Sequence, residues 1–539
     1  MFFALVLFGD TGWKMQELFS HQQLTKHLQD TVWSPLNVQH GGKFSTAPSQ
    51  FAPAPNVTTF RLVGEGASLV ERQLDDALPA LRSEMTSLVS SGDTATIAVD
   101  CLSINGLPEC FTVRLLRNIG TAAPAVAAVV VVDPGCGEAV MRGSHVFAPG
   151  ILASTAAYQE GQVVEIRACV GRNGAPAKMP LKGSLLRSRN STTVEAVEDE
   201  AKEEATPAAS PLFDVDVDTI VVGYGTVLMD RSTVVNKGKG VAIQSIAAPH
   251  PSQEMLERAV AALGKQLNIS SAIAPFLQNF SSMLPAAMLD ISHSMTVLDM
   301  CAAPGGKSSH VLSRFRSVDA QSRLPGETQP FSLVCCERSG SRAKKLKELL
   351  ASHHGAQFCS QHVEVFTGDA NKYGKTADSG VIAPSFDRIL LDPPCTGFGL
   401  RPRLQPHPHT LKDVQESADY QRKLFDTAWK HLKPGGLLSY STCTMSLEEN
   451  EANVVWAMKQ YPDLELCRAD TDLRLQLLGL APQRSYLRAP FVDAGLLGQD
   501  EGAEYMVFRF GPQPEGSPFL DSVGFFAALF RKVPEAGRR

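Results

Sequence analysis

Between Thr296 and Cys443 five short apolar runs, TVLDMCAA, FSLVCCE, HVEVFTGD, FDRILLDPP and GLLSYSTC, alternate with amphipathic stretches such as RAKKLKELLASHH and the run from Val414 to Leu432. A strand-helix alternation of this kind calls for a parallel sheet covered on both faces, an α/β fold. Ligands of such sheets sit beyond the carboxyl ends of the strands. Cys301, Glu337, Asp369, Asp392 and Cys443 all fall there.

The alternating part begins after about Gly240, and 539 residues are too many for one ordinary core. Residues 1–110 read as a mixed α/β region with little chemistry in it. From Ala125 the continuous run AVAAVVVVD, the glycine-punctuated PGCGEAVMRGSHVFAPGI and GQVVEIRACV suggest short strands of a small β-rich module over residues 111–240. EAVEDEAKEEATPAASP is acidic, rich in Ala, Ser and Pro, and without apolar period, so residues 172–211 are expected to be a disordered insertion within that module. Residues 241–535 form the last unit, with a helical start over 251–293.

Hydrophobic residues make up 44% and charged residues 20%, the balance of a soluble globular chain. The net charge of −6 means that a nucleic-acid partner is met by local basic patches and not by an overall positive field. Eleven cysteines at irregular spacing, with no CxxC or Cys/His pattern, read as reduced intracellular thiols, and no metal site is expected. The apolar start MFFALVLFGD lacks a basic flank and is too short to span a membrane. It reads as an element packed on the domain, and membrane association is not expected.

The segment DMCAAPGGKSSH follows the first strand and opens a helix. Gly305 and Gly306 permit backbone conformations closed to other residues and let a cofactor approach the chain. The loop lacks both GxGxxG and the GxxxxGK[ST] spacing of phosphate-cradling proteins. A carboxylate at the end of the second strand, Glu337, can take the two hydroxyls of a ribose. Asp369, at the end of the third, is placed to meet the base of the same nucleoside, although an acid there can equally be a helix cap.

Two cysteines remain, Cys395 directly after Asp-Pro-Pro and Cys443 at the end of the next strand. Asp-Pro-Pro followed by an aromatic would suggest amino-group methylation; a cysteine in its place suggests covalent chemistry. Carbon 5 of a pyrimidine becomes nucleophilic only after a thiolate adds to carbon 6, and thiols add and leave readily. A second group must then help release. For an isolated cysteine the alternative is burial as a small apolar residue; two at adjacent strand ends beside a glycine loop favour chemistry.

At this point the chain resembles the NOL/NOP/Sun family of RNA cytosine-5 methyltransferases. The resemblance rests on VLDMCAAPGGKSSH, LLDPPCTGFG, YSTCTMSLEENE and the closing DSVGFFAALF, in that order, and covers about Gly240 to Val533. It implies a class I S-adenosylmethionine-dependent methyltransferase fold, Rossmann-like with a mixed seven-stranded sheet. It implies S-adenosyl-L-methionine as cofactor, held by Cys301, Ala302, Ala303, Pro304, Gly305, Gly306, Lys307, Glu337, Asp369 and Asp392. Cys443 would be the nucleophile and Cys395 the group that assists product release, with Asp392 and Lys307 beside them. The family more often has Asp where Glu337 stands.

The β-rich segment resembles a PUA RNA-binding domain through CGEAVMRGSHVFAPGI, with Arg142, Gly143 and His145 on its RNA face; for His145 a hydrogen-bonded turn is the alternative. A PUA module before the catalytic unit is similar to the branch that methylates tRNA near its 3′ acceptor end. The resemblance thus implies 5-methylcytosine formation in tRNA by a cytoplasmic monomer. Arg342, Lys344, Lys345, Lys347, Arg401 and Arg403 are candidates to meet phosphates. An rRNA or mRNA methyltransferase, or a noncatalytic RNA-binding protein with the same fold, are the competing readings.

Overall fold

The computed structural model describes residues 58–117, 125–170, 177–186, 215–245, 253–317, 331–374, 385–468, 493, 507–511 and 522–534, with short breaks in the first, fifth and seventh of these. The apolar start and most of the acidic insertion lie outside the described residues.

Among the described residues three sheets organise the chain. The first is antiparallel and four-stranded, in the order Ala274–Leu277, Thr58–Val63, Leu107–Arg117, Ile97–Ile104. Helices Leu74–Ser90 and Gln253–Gln266 pack on it; the second turns Leu256, Ala259, Val260 and Leu263 inward at helical spacing, onto Phe60, Leu62 and Phe111. The expected boundaries therefore shift. The break after residue 110 would cut Leu107–Arg117, and residues 253–277, assigned from sequence to the start of the catalytic unit, complete this first sheet. A chain can leave a sheet and return, which local periodicity does not reveal.

Inserted between those two parts is the β-rich module. Its seven strands run Val146–Phe147, Val241–Ser245, Thr219–Val227, Val163–Cys169, Ala128–Val132, Ile151–Ser154, Ser184–Leu185. Val241–Ser245 belongs to it, one strand past the expected boundary at 240. Ala128–Val132 is continuously apolar because both its faces are covered: Val130 and Val132 enter one core, Val131 another.

The third sheet carries the site. Its order is Val363–Thr367, Ser332–Glu337, Thr296–Asp299, Phe386–Leu391, Leu432–Thr442, Phe525–Lys532, Leu464–Leu466, and Phe508–Phe510 pairs beside Phe525–Lys532. The first five are parallel and Phe525–Lys532 is antiparallel. This is the class I methyltransferase fold: among the described residues the expected seven strands lie in one path, and Phe508–Phe510, too short to stand out in sequence, pairs beside it.

Helices cover both faces of this sheet. Phe280–Ala287, Gly306–Ser317 and Gly340–His354 pack on one, and Leu411–His431 and Glu451–Gln460 on the other. In FSLVCCE, Leu333 and Cys335 face the first helix layer and Val334 and Cys336 the second, so both cysteines are packing residues. Among the described residues no helix is long and apolar enough to cross a membrane.

Candidate active site

The parallel strands end together, and their carboxyl ends bring the quoted motifs to one edge. At the first, buried Asp299 accepts from Ser308 Oγ at 2.6 Å and from Cys301 N at 3.2 Å, which curls the glycine loop back onto its own helix. Burial pushes its carboxyl up to about 6 against those hydrogen bonds. Gly305 has φ 116°, and a Cβ there would come within 2.7 Å of Leu346 Cδ1, so the turn needs glycine on both counts. Ala302 and Ala303 are buried in the core, and burial holds the Cys301 thiol protonated. Pro304 is exposed and Gly306 begins the helix.

Glu337, at the end of the second strand, is buried and accepts from Ser339 N at 2.8 Å. Arg342 lies 3.5 Å from its carboxylate and donates to Ala303 O at 2.6 Å, linking the second strand end to the glycine loop. That gives Arg342 a structural task. Asp369 accepts from Asn371 N at 3.0 Å and caps the short turn Ala370–Lys372, the alternative weighed for it from sequence.

The two sulfurs meet. Cys395 Sγ and Cys443 Sγ are 3.4 Å apart, brought together from adjacent strand ends. The contact with the Cys395 thiol lowers the Cys443 pKa; Lys307 adds to this, against burial and the nearby Asp392. The same contact, together with burial, holds Cys395 well above the usual thiol range. Cys443 is therefore the more acidic thiol and Cys395 the one that keeps its proton.

Lys307 Nζ donates to Asp392 Oδ2 at 2.7 Å and stands 5.3 Å from the centre of the Phe525 ring. Burial pulls the lysine pKa down, but Asp392 outweighs it and keeps the ammonium charged. Ser441 Oγ donates to the other Asp392 oxygen at 2.6 Å, so the carboxylate is held from both sides.

Several members of the site escaped the sequence reading. Buried Glu449 accepts from Thr396 N at 3.0 Å, Thr396 Oγ1 at 2.5 Å, Ser446 Oγ at 2.7 Å and Gln421 Nε2 at 2.9 Å. Gln421 also donates to Pro394 O at 3.0 Å. The loop after Asp392 is thereby tied to the loop after Cys443, which sets the distance between the thiols. Gly399 N donates to Cys443 O at 2.9 Å, and a Cβ on Gly399 would fall 2.0 Å from Gly524 O. That close approach is what the glycines of CTGFG and DSVGFF serve. Three acids crowd YSTCTMSLEENE, and nothing local distinguishes Glu449 on the Cys395 loop from Glu451, which pairs with Arg509 at 2.7 Å.

The basic candidates separate. Arg401 is buried and donates to Ser522 O at 3.0 Å, a packing role that replaces the expected phosphate contact. Lys344, Lys345 and Lys347 are exposed on helix Gly340–His354. In the β-rich module Arg142 is exposed, Gly143 has φ 94°, and His145 Nδ1 accepts from Ser245 N at 3.3 Å, the hydrogen-bonded turn considered for it.

Residues 286–486 match the family model described as 16S rRNA methyltransferase RsmB/F. A mouse protein described as tRNA (cytosine(72)-C(5))-methyltransferase NSUN6 is 31% identical over 345 residues, which cover 62% of this chain and 60% of its own length. A Pyrococcus horikoshii tRNA (cytosine(72)-C(5))-methyltransferase is 27% identical over 360 residues, 67% of this chain and 72% of its own. The chain spans about 60% of the length of the mouse and human relatives it matches. The crystal structure of NSun6 from Pyrococcus horikoshii with SFG has a TM-score of 0.57 at 22% identity, covering 94% of this chain and 98% of that one, a likeness of fold. With the motifs in order and two cysteines meeting at the edge of a class I sheet, the chain is similar to these RsmB/F and NSUN6 methyltransferases.

Proposed function

We propose that this protein transfers a methyl group from S-adenosylmethionine to carbon 5 of a cytosine in RNA. The observation that carries the reading is the 3.4 Å contact between Cys395 Sγ and Cys443 Sγ beside the Lys307–Asp392 pair. The residues present fit the cofactor: a glycine turn that admits no side chain, then Glu337, Asp369 and Asp392 at successive strand ends, carboxylates that can accept from a ribose diol and an adenine amino group and face a cationic sulfonium. When bound, S-adenosylmethionine supplies an electrophilic methyl group.

The protein supplies the rest. The Cys443 thiolate adds to carbon 6 of the cytosine, forming a carbon–sulfur bond and making carbon 5 enamine-like; Asp392, fixed by Lys307 and Ser441, orients the base. As a thioether, Cys443 no longer carries the charge that keeps Cys395 protonated. Cys395 then loses its proton to water and takes the proton from methylated carbon 5. The carbon–sulfur bond breaks, Cys443 leaves as thiolate, and the starting proton distribution returns. One proton is released per methyl transferred.

For the substrate we propose tRNA near its 3′ acceptor end, bound partly by the β-rich module as a PUA-type RNA-binding domain with Arg142, Gly143 and His145 on its RNA face. A cytosine at a helix end is flipped at a smaller cost than one inside a duplex, which is a few kcal/mol. Glu337 and Asp369 are the proposed nucleoside contacts, the latter in addition to its capping bond. The protein acts as a cytoplasmic monomer in this reading.

Bisulfite mapping of tRNA and total RNA incubated with the protein and S-adenosylmethionine tests the proposal. One protected acceptor-stem cytosine, absent with Cys443→Ala, is the expected result. Protection in rRNA alone would overturn the substrate, and no protection in any RNA would overturn the reaction.

A further inference from the structure

Arg403 stands apart from the other cations of the site. Its guanidinium is half-buried, donates to Gly397 O at 3.3 Å, and keeps a buried Nε with no hydrogen-bond partner among the described residues. Gly397 lies two residues beyond Cys395, and Gly399 is bonded to Cys443 O at 2.9 Å, so the guanidinium rests on the thiol-bearing loop itself. Burial lowers its pKa, while the charges of Glu138 and Cys443 act to raise it, which sets it between the β-rich module and the thiols. Among the described residues its guanidinium makes one hydrogen bond, to a neutral carbonyl, and no direct ion pair, whereas buried charges are ordinarily paired and fully hydrogen-bonded.

The segment carrying it is anchored on both sides. Arg401 is tied to Ser522 O at 3.0 Å. Leu404 is buried in the core of the β-rich module, and its N–H donates to Glu138 Oε1 at 2.8 Å. Gln405 Oε1 accepts from Ala177 N of the same module at 3.1 Å. Arg403 is thus presented from a fixed strap joining the β-rich module to the thiol loop, the preorganisation that a binding group needs.

We infer that Arg403 is a substrate-binding residue that takes a backbone phosphate of the RNA strand beside the reacting cytosine, with Glu138 as a positioning residue that holds its strap. A planar guanidinium matches a phosphate with paired donors, and a phosphate supplies the direct ion pair that Arg403 lacks among the described residues. The inference rests on RNA being the substrate, and it goes further by naming the anion and the residue that meets it.

The test is equilibrium binding of a fluorescein-labelled tRNA acceptor-stem hairpin across a salt series, with wild type, Arg403→Gln and Arg403→Lys. Arg403→Gln is expected to bind about tenfold more weakly. Its plot of log affinity against log salt should be shallower by about 0.7 to 0.9, the loss of one phosphate contact. Arg403→Lys, which keeps the charge and the stem, should retain the wild-type slope with part of the affinity; it also keeps the test open if the glutamine variant fails to fold. In turnover assays KM for RNA should rise with kcat little changed.

An unchanged slope in Arg403→Gln overturns the inference, and so does a fall in kcat at constant KM, which would place the arginine on the base or on the chemistry. If wild type binds RNA with an Arg403-dependent slope but transfers no methyl, the reaction proposed above fails and this assignment stands. Methyl transfer with a slope indifferent to Arg403 is the reverse.

Discussion

The pairing of Cys395 with Cys443 assigns different tasks to two chemically identical groups. A thiol donating to a thiolate stabilises the charge on one sulfur and the proton on the other, and Lys307 tips the balance toward charge on Cys443. In the RNA-free protein, alkylation of Cys443 by iodoacetamide should therefore reach half its limiting rate below the ordinary thiol pKa of about 8.5. The sign follows directly: a lowered pKa means that more thiolate is present as pH falls toward neutrality. Cys395→Ala removes the largest stabilising contact and Lys307→Met the cation, so each should move the profile to higher pH. A profile unmoved by either would show that neither residue sets the charge. The motifs made the two cysteines legible, because each stands beside an unusual neighbour in sequence. Ser441 and Glu449 were not assigned roles from sequence, since what each does depends on a partner that only the fold brings near; Arg403 was one of six phosphate candidates, and its place on the thiol loop came from the fold.

At the scale of elements, the helix that opens from the glycine loop is held by the helix after the second strand. Ser309 Oγ and His354 Nε2 are 2.8 Å apart in the buried contact between Gly306–Ser317 and Gly340–His354. Burial, aided by Arg61 and Arg316, lowers the His354 pKa from 6.5 to about 3. Its neutral form is thus the folded form. An unfolded histidine takes up a proton near pH 6.5 and the folded one does not, so stability is full above that value and is lost as pH falls from about 6.5 toward 3. Between pH 7 and 5 this one group should account for about 2 kcal/mol. Urea unfolding of wild type and His354→Phe at several pH values measures it: the variant should lose less stability over that interval, whatever its absolute stability. Equal slopes would show that the imidazole is already protonated in the folded protein. The helices themselves were legible from RAKKLKELLASHH and its apolar spacing; that the histidine ending this run braces the cofactor loop was not.

At the scale of the whole molecule, the first sheet is a support for the third. Arg61, fully buried, donates to Gln278 Oε1 at 2.8 Å, to Ser313 Oγ at 2.9 Å and to Gly306 O at 3.2 Å, and lies 4.7 Å from the Phe276 ring centre. A residue of the N-terminal sheet thereby fixes the start of the helix that follows the glycine turn. Arg61→Ala should cost about 3 kcal/mol of stability by leaving buried acceptors unpaired. It should also weaken S-adenosylhomocysteine binding, read by calorimetry under conditions where the variant remains folded. Full cofactor affinity in the folded variant would mean that the brace serves stability alone.

Apolar period, backbone freedom and residue chemistry are local properties, so the alternation that makes a parallel sheet, the glycine turn and the two cysteines at strand ends were legible along the chain itself. The seam between units was not local: the chain leaves the first sheet after Arg117, builds the β-rich module, and returns through Ala274–Leu277. Nor was it local that Arg401 is buried while Arg403 faces the thiol loop, two residues apart with the same side chain. Tertiary structure decided these points, since the energy of a buried charge or a close backbone approach depends on groups that sequence places far away and folding brings into contact.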